Sequence, residues 1–462
     1  ADEKIVSRGE IVTAEVAQIL DSYKEEYNKV FGYDGPRVLL YLGNILIGLA
    51  LVLILYLAIY FSNPGVFDDH NRFRYLLTVF LLAGVVTFIM ERTGSAFMYM
   101  IPYPVFALYL LAFFRKRVVF PVYVVLLLPL LIFCANGMEL FVMYLTAGAV
   151  TIETFGSLNK GWKQFINAAI LFGVELVVFL GFRLIDAGSS SVWWLNLVQV
   201  FVGALFTVAL YPLIYLFERL FNLVSNSRLI ELCDVSNPLL RELEQKAPGT
   251  FQHSLQVMNM ADAVARAVDA NADLVRAGAM YHDIGKLYNP LCFIENESLV
   301  TRDGTPRYHA GLSPEQSAHD IIRHVPEGVE RARKHHLPEI LIDFIRSHHG
   351  TTTAGYFYNQ FLQAGGSPDR IGEFRYPGIK PATKEQIILM LCDSVEAASR
   401  TLTEFTPEAC SAFVERIVAG KMEEGQFDRA DISISELGTV KDTLKQYLAQ
   451  IHHERVVYPE RK

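Results

Sequence analysis

Between about Arg37 and Leu220 the chain runs through one apolar stretch after another with little charge inside them, and this limits its fold more than any other feature. A helix that crosses a bilayer needs roughly 20 largely apolar residues. Seven segments qualify, at about 38–61, 75–91, 97–114, 118–134, 139–156, 164–183 and 193–216. A large soluble core would need helices with one polar face. Stretches such as LIGLALVLILYLAIYF and VVFPVYVVLLLPLLIF have none. The lipid bilayer is therefore an expected partner. Glu153 and Glu175 are ionisable residues within these segments, which makes each a candidate for sensing or transport, or a satisfied structural carboxylate.

Lysine and arginine in short loops set the orientation. Arg72 and Arg74 follow the first span, Arg115 to Arg117 the third, Lys160 and Lys163 the fifth, and Arg219 and Arg228 the seventh. The other loops hold only Arg92 and Arg183. An odd number of spans then predicts a multi-pass protein of the cell membrane with its N-terminus outside and its C-terminal half in the cytoplasm. Residues 1–36 are polar and read as the membrane-proximal end of an extracytoplasmic region.

The C-terminal half differs in kind. Hydrophobic residues make up 52% of the 462 and charged residues 19%, but the charge lies mostly after about Ser227. Eleven of the 12 histidines lie there too, His70 being the exception. Apolar residues recur at helical spacing in SLQVMNMADAVARAV, ADLVRAGAMYHDIGKL and KEQIILMLCDSVEAASR, and alternating strand patterns are almost absent. The fold class is all-α. A linker at 221–246, broken at Ser236-Asn237-Pro238 with Pro238 suited to a first helical turn, leads into a domain at 247–462. Five scattered cysteines without CxxC spacing read as ordinary buried thiols. The net charge of −8 argues against a nucleic-acid polymer as partner.

The motif with the most chemical content is His282-Asp283-Ile284-Gly285-Lys286. An imidazole and a carboxylate side by side can meet one metal ion, and the aspartate has a second oxygen with which to reach another. On a continuing helix Lys286 would project to the same side. Other ligand types recur on helices: His253, His324, the pair His348-His349, and Asp393 in an otherwise apolar stretch, where an unpartnered carboxylate would be costly. His309, His319 and the pairs His335-His336 and His452-His453 match no such position.

The order His…His-Asp…His…His-His…Asp is similar to the two-metal form of the HD-domain phosphohydrolases. That resemblance implies His253, His282, Asp283 and Asp393 on one metal, and Asp283 (bridging), His324, His348 and His349 on the other. Nitrogen and oxygen donors without thiolate suit two divalent ions, iron or manganese. GTFQHSLQV, YHDIGK, FIENE, LSPEQSA, HHGTT and FRYPGIKP, with the apolar spans, resemble the bacterial seven-transmembrane-receptor HD-domain family. The likeness implies a cytoplasmic HD domain that hydrolyses cyclic di-AMP to linear pApA, with Asp283 and Lys286 in catalytic roles. It further implies control by an unknown extracellular signal, and a homodimer is compatible with it. Asn296, Arg375 and Tyr376 stand in motif segments and are candidate substrate contacts. The rivals are a receptor that binds nucleotide without turnover and a cyclic di-GMP phosphodiesterase. The latter fits less well, because Gly350-Thr351-Thr352 follows the second histidine pair where that group carries an acidic residue.

Overall fold

A computed structural model describes residues 6, 11–31, 36–93, 97–134, 136–158, 163–185, 193–299, 307–402 and 404–451. Lys160, His452, His453 and most of residues 1–10 lie outside them. The chain divides into two compact units, Ala1–Leu223 and Val224–Lys462.

In the first unit α1 (Ala14–Phe31) precedes α2 (Arg37–Ser62), α3 (His70–Thr93), α4 (Val105–Phe113), α5 (Lys116–Phe133), α6 (Gly137–Leu158), α7 (Lys163–Ile185), α8 (Trp193–Ala209) and α9 (Ile214–Phe221). Among the described residues, six helical stretches are long and apolar enough to cross a membrane: α2, α3, α5, α6, α7 and the stretch Trp193–Phe221. The outward face of α2 carries Val38, Leu39 and Tyr41, all more than half exposed. In water such a strip would be a liability, whereas hydrocarbon solvates it.

The third expected span is the exception. Residues 97–114 do not form one helix but a 3-10 turn at Met98–Met100, a break, and the nine-residue α4. Pro102 and Pro104 explain the break, since neither has an N–H to donate and each restricts the residue before it. Alone, α4 covers about 14 Å of a hydrocarbon layer of about 30 Å. The broken segment is buried among its neighbours, which supply what its backbone lacks. Tyr144 Oη donates to the carbonyls of Met98 (3.2 Å) and Ile101 (3.0 Å). Gly203 leaves room for two more, because a β-carbon there would stand 2.9 Å from the Tyr99 carbonyl oxygen. Irregular backbone at membrane depth is tolerable only in such protein surroundings. Glu153 is exposed and pairs with Lys116 at 2.8 Å, while Glu175 is buried. The periodicity of the spans did not reveal a partly buried ion pair, Arg183 to Glu139 at 2.5 Å.

The second unit contains α10 (Asn226–Leu232), α11 (Pro238–Lys246), α12 (Pro248–Ala267), α13 (Ala272–Tyr281), α14 (Pro314–Ile322), α15 (His324–Lys334), α16 (Glu339–Ser347), α17 (Gly355–Gln363), α18 (Lys384–Ser399), α19 (Pro407–Glu423) and α20 (Ile434–Ile451). No strand occurs among the described residues, and the one strand-like pairing is an isolated bridge between Thr353 and Arg375. Pro238 occupies the first turn of α11, with the Asn237 side chain accepting from Leu239 N at 3.0 Å. Helices α10 and α11 do not stand apart as a linker: Leu229, Leu232, Leu239, Leu240 and Leu243 are buried in the core of this unit. In that core α12 packs on α13 and α18, and α13 on α16. Helices α12 and α18 carry His253 and Asp393, and the ends of α13 and α16 lead directly into His282-Asp283 and His348-His349.

Candidate metal centre

Helix α13 ends at Tyr281, and the chain does not continue helically through the motif as its spacing suggested. His282 and Asp283 stand at the break, followed by a 3-10 helix at Ile284–Tyr288. Gly285 permits the close packing of this segment. It lies so close to α15 that a β-carbon there would fall 1.8 Å from the His324 carbonyl oxygen and 2.5 Å from Gly328 N. This approach brings His324 against Asp283. His348 and His349 follow directly on the end of α16, His253 projects from α12 and Asp393 from α18.

The seven side chains meet in one place, arranged around Asp283. Its Oδ2 faces His282 Nε2 at 3.2 Å and His253 Nε2 at 3.6 Å. Its Oδ1 faces His324 Nε2 at 3.5 Å and His348 Nε2 at 3.6 Å. Asp393 spans the same gap from the other side, with Oδ1 3.0 Å from His253 Nε2 and Oδ2 3.8 Å from His349 Nδ1. Among the described residues, two groups could each hold an ion: His253, His282 and Asp283, and His324, His348 and His349.

The imidazoles are oriented before any ligand arrives. Nδ1 of His282, His324 and His348 each lies within hydrogen-bond reach of the carbonyl three residues earlier, at 2.7, 2.5 and 2.8 Å. A proton held on Nδ1 leaves the Nε2 lone pair aimed at the centre. His253 turns the same nitrogen inward because its Nδ1 is engaged by Glu396 in a short contact. The donor set fits divalent metal ions: His282 Nε2 and Asp283 Oδ1 are buried with no hydrogen-bond partner among the described residues, which is costly unless something else satisfies them.

Electrostatics divide the imidazoles: burial opposes charge on His282, but the neighbouring Asp283 carboxylate raises its pKa to about 10, so this ring must give up a proton to bind a metal ion. Burial works against ionisation of Asp283, yet His282 and Lys286 outweigh it and hold the carboxyl well below the usual range. Burial, reinforced by the neighbouring His282, pushes the His348 imidazole down to about 3, so it is a neutral donor near pH 7. Lys286 Nζ sits 2.8 Å from both Asp283 Oδ2 and Glu295 Oε1, and 4.9 Å from the centre of the Phe293 ring.

Of the three candidate substrate contacts, one lies at the centre. Tyr376 stacks on His349 with ring centroids 4.2 Å apart and lines the cavity above the cluster. Asn296 does not. It is fully buried, its Oδ1 accepts from Gly249 N and Thr250 N, and its Nδ2 donates to Thr250 Oγ1 and the Pro290 carbonyl. With its amide committed to the start of α12, it has no group left for a ligand. Arg375 is exposed and is not part of the cavity wall. Among the unassigned histidines, His319, His335 and His336 are exposed, and His309 is tied to the Cys292 carbonyl at 2.9 Å.

Two family descriptions match the chain: "7TM receptor with intracellular HD hydrolase" over residues 38–225, and "HD domain" over residues 250–398. The chain is thus similar to this family over both segments. It is 36% identical to the cyclic-di-AMP phosphodiesterase PgpH of Bacillus subtilis over 69% of its own length and 44% of the relative's. With the PgpH of Listeria monocytogenes it shares 41% identity over 54% of its own length and 34% of the relative's. It thus spans less than half the length of these curated relatives. The crystal structure of the L. monocytogenes PgpH HD domain in complex with cyclic-di-AMP, 41% identical, is covered completely by 48% of this chain, with a TM-score of 0.44. HD domains of this kind are metal-dependent hydrolases, and the His/Asp cluster of this chain lies inside the matched segment.

Glu396 and Glu295 were missed in the sequence. Glu396 follows Asp393 by three residues on α18, and that spacing of two carboxylates in an apolar helix was the available signal. Glu295 gave none, since only the fold brings it to Lys286. Replacing Glu396 with glutamine is expected to weaken metal binding about 10- to 100-fold by loosening His253. Titration of the purified full chain against a competing chelator measures this, and unchanged affinity would remove Glu396 from the support of the site.

Proposed function

We propose that the chain is the membrane and catalytic part of a two-metal phosphodiesterase that opens cyclic di-AMP to linear pApA. The observation that carries the two-metal reading is the aspartate whose two oxygens face two separate groups of histidines. The substrate rests on what the relatives are named for, and the cavity of about 360 Å³ above the cluster is of a size that takes a nucleotide ligand. In this reading His253, His282, Asp283 and Asp393 hold one ion, and Asp283, His324, His348 and His349 the other. Nitrogen and oxygen donors without thiolate favour iron or manganese.

Bound there, two divalent ions would supply positive charge to the phosphate oxygens and lower the pKa of the attacking water. The protein does the rest. Asp283 fixes the spacing of the two positions. Lys286, held between Asp283 and Glu295, presents its remaining N–H to a phosphate oxygen as negative charge builds on it. Tyr376 packs over His349 and keeps that ring in place. In the hydrolysis the water oxygen bonds to phosphorus, one P–O3′ bond breaks, and the departing oxygen leaves as a 3′-hydroxyl. The loop charges support a cytoplasmic HD unit and an extracytoplasmic N-terminus, so that a signal from outside acts through the membrane helices.

Lys286→Met is expected to lower kcat about 100-fold while both metals stay bound. Metal loss in that variant, read by elemental analysis, would show that Lys286 serves the ligands and not the substrate. The reading as a whole is tested on the full chain in nanodiscs with manganese or iron(II). Cyclic di-AMP, cyclic di-GMP and mononucleotides compete for turnover while metal content is measured on the same sample. Preferred consumption of cyclic di-AMP is the expected result. Binding without consumption by a metal-loaded chain would favour a receptor instead.

A further inference from the structure

Three cations line the cavity above the metal centre: Lys286, Arg400 and Lys421. Two are already engaged. Lys286 lies between Asp283 and Glu295, and Arg400 Nη2 meets Glu396 Oε1 at 3.2 Å. Lys421, near the end of α19, differs. It is half-buried, and its ammonium makes no ion pair within 4 Å among the described residues. Burial holds it below its ordinary range, and the carboxylates that act on it from a distance are Glu424 and Asp393. A lysine kept in a cavity wall without a counter-ion pays desolvation that an anion in the cavity would offset. Ile294 and Tyr356, on the same wall, are large, apolar-bodied and about 70% exposed, and neither offers a positive charge to that anion.

A cyclic dinucleotide carries two phosphodiesters on opposite sides of one ring. If one is at the metal centre, the other must find a partner elsewhere in the same cavity. We infer that Lys421 is the subsite for the second, non-reacting phosphate, and so selects substrates with two phosphates over those with one. The inference rests on the cyclic dinucleotide reading above and adds the residue that would enforce it. Lys421 is then a specificity residue, with no part in the bond-breaking step.

The test uses the manganese-loaded full chain in nanodiscs and two probes, the hydrolysis-resistant bis-phosphorothioate analogue of cyclic di-AMP and AMP. Lys421→Gln is expected to raise the Kd of the analogue tenfold or more and that of AMP less than threefold. Lys421→Arg should restore the analogue to within threefold of the parent chain. Equal weakening for both probes, or no recovery with arginine in a chain of unchanged Tm, would overturn the subsite. If the parent chain binds AMP but not the analogue, the cyclic dinucleotide reading itself fails. Tight analogue binding that Lys421→Gln leaves unchanged sinks the subsite alone.

Discussion

Asp283→Ala is expected to empty both metal positions at once and to lower turnover by about three orders of magnitude or more, a barrier increase of about 4 kcal/mol. The two carboxylate oxygens face different histidine groups, so removal of this one side chain is expected to act on both. Asp393 also touches both groups, but at 3.8 Å from His349 its second contact is looser. Elemental analysis of the purified chain, alongside hydrolysis of cyclic di-AMP, gives both readouts. Two ions per chain with activity intact would end the bridging role. A chain that keeps one ion and no activity would show that one group binds without the shared oxygen.

The second large effect is on folding. Gly285→Ala would place a methyl carbon 1.8 Å from the His324 carbonyl oxygen and 2.5 Å from Gly328 N. Both are backbone atoms of α15 and cannot swing aside as a side chain could. The 3-10 segment and α15 must separate, and destabilisation of about 3 kcal/mol or more follows, lowering the Tm of this unit by roughly 6–12 °C. Because α15 begins at His324, its retreat should also weaken the histidine group on that side. Gly438→Ala is the control: in α20 nothing lies within 4 Å of the new methyl group, and a gain of about 0.5–1 kcal/mol is expected from helix propensity. Parallel thermal melts of the two variants decide it, and equal Tm values would mean that the close approach at Gly285 is not what holds the break in place.

The sequence disclosed what depends on pattern and residue type. The apolar spans, the helical second half and the gathering of His253, His282, Asp283, His324, His348, His349 and Asp393 were all legible before any coordinates. What it withheld depends on backbone detail and long-range pairing. The third span reads as apolar throughout, and only the two prolines hinted that it would break. Asn296 sits in a motif-like segment, but its Oδ1 accepts from residues more than 40 positions away, which no local pattern can show. Lys286 found Glu295 through a turn of nine residues, and His253 found Glu396 across 143. Such partners are set by how helices pack, and apart from the three-residue step from Asp393 to Glu396 the spacing along the chain carries no record of it.

The broken third segment bears on how the protein is made. Helix α4 is too short to be held in hydrocarbon by itself, and the carbonyls just before it are satisfied by Tyr144, which is synthesised some forty residues later. Until α6 emerges from the ribosome those groups have no such donor. Alone in lipid, the segment would keep the local bond from Tyr103 N to the Ile101 carbonyl at 2.8 Å but would leave the Met98 carbonyl without Tyr144. Its stable place in the membrane is therefore expected to depend on α6 being there first, so that a helix made later completes one made earlier.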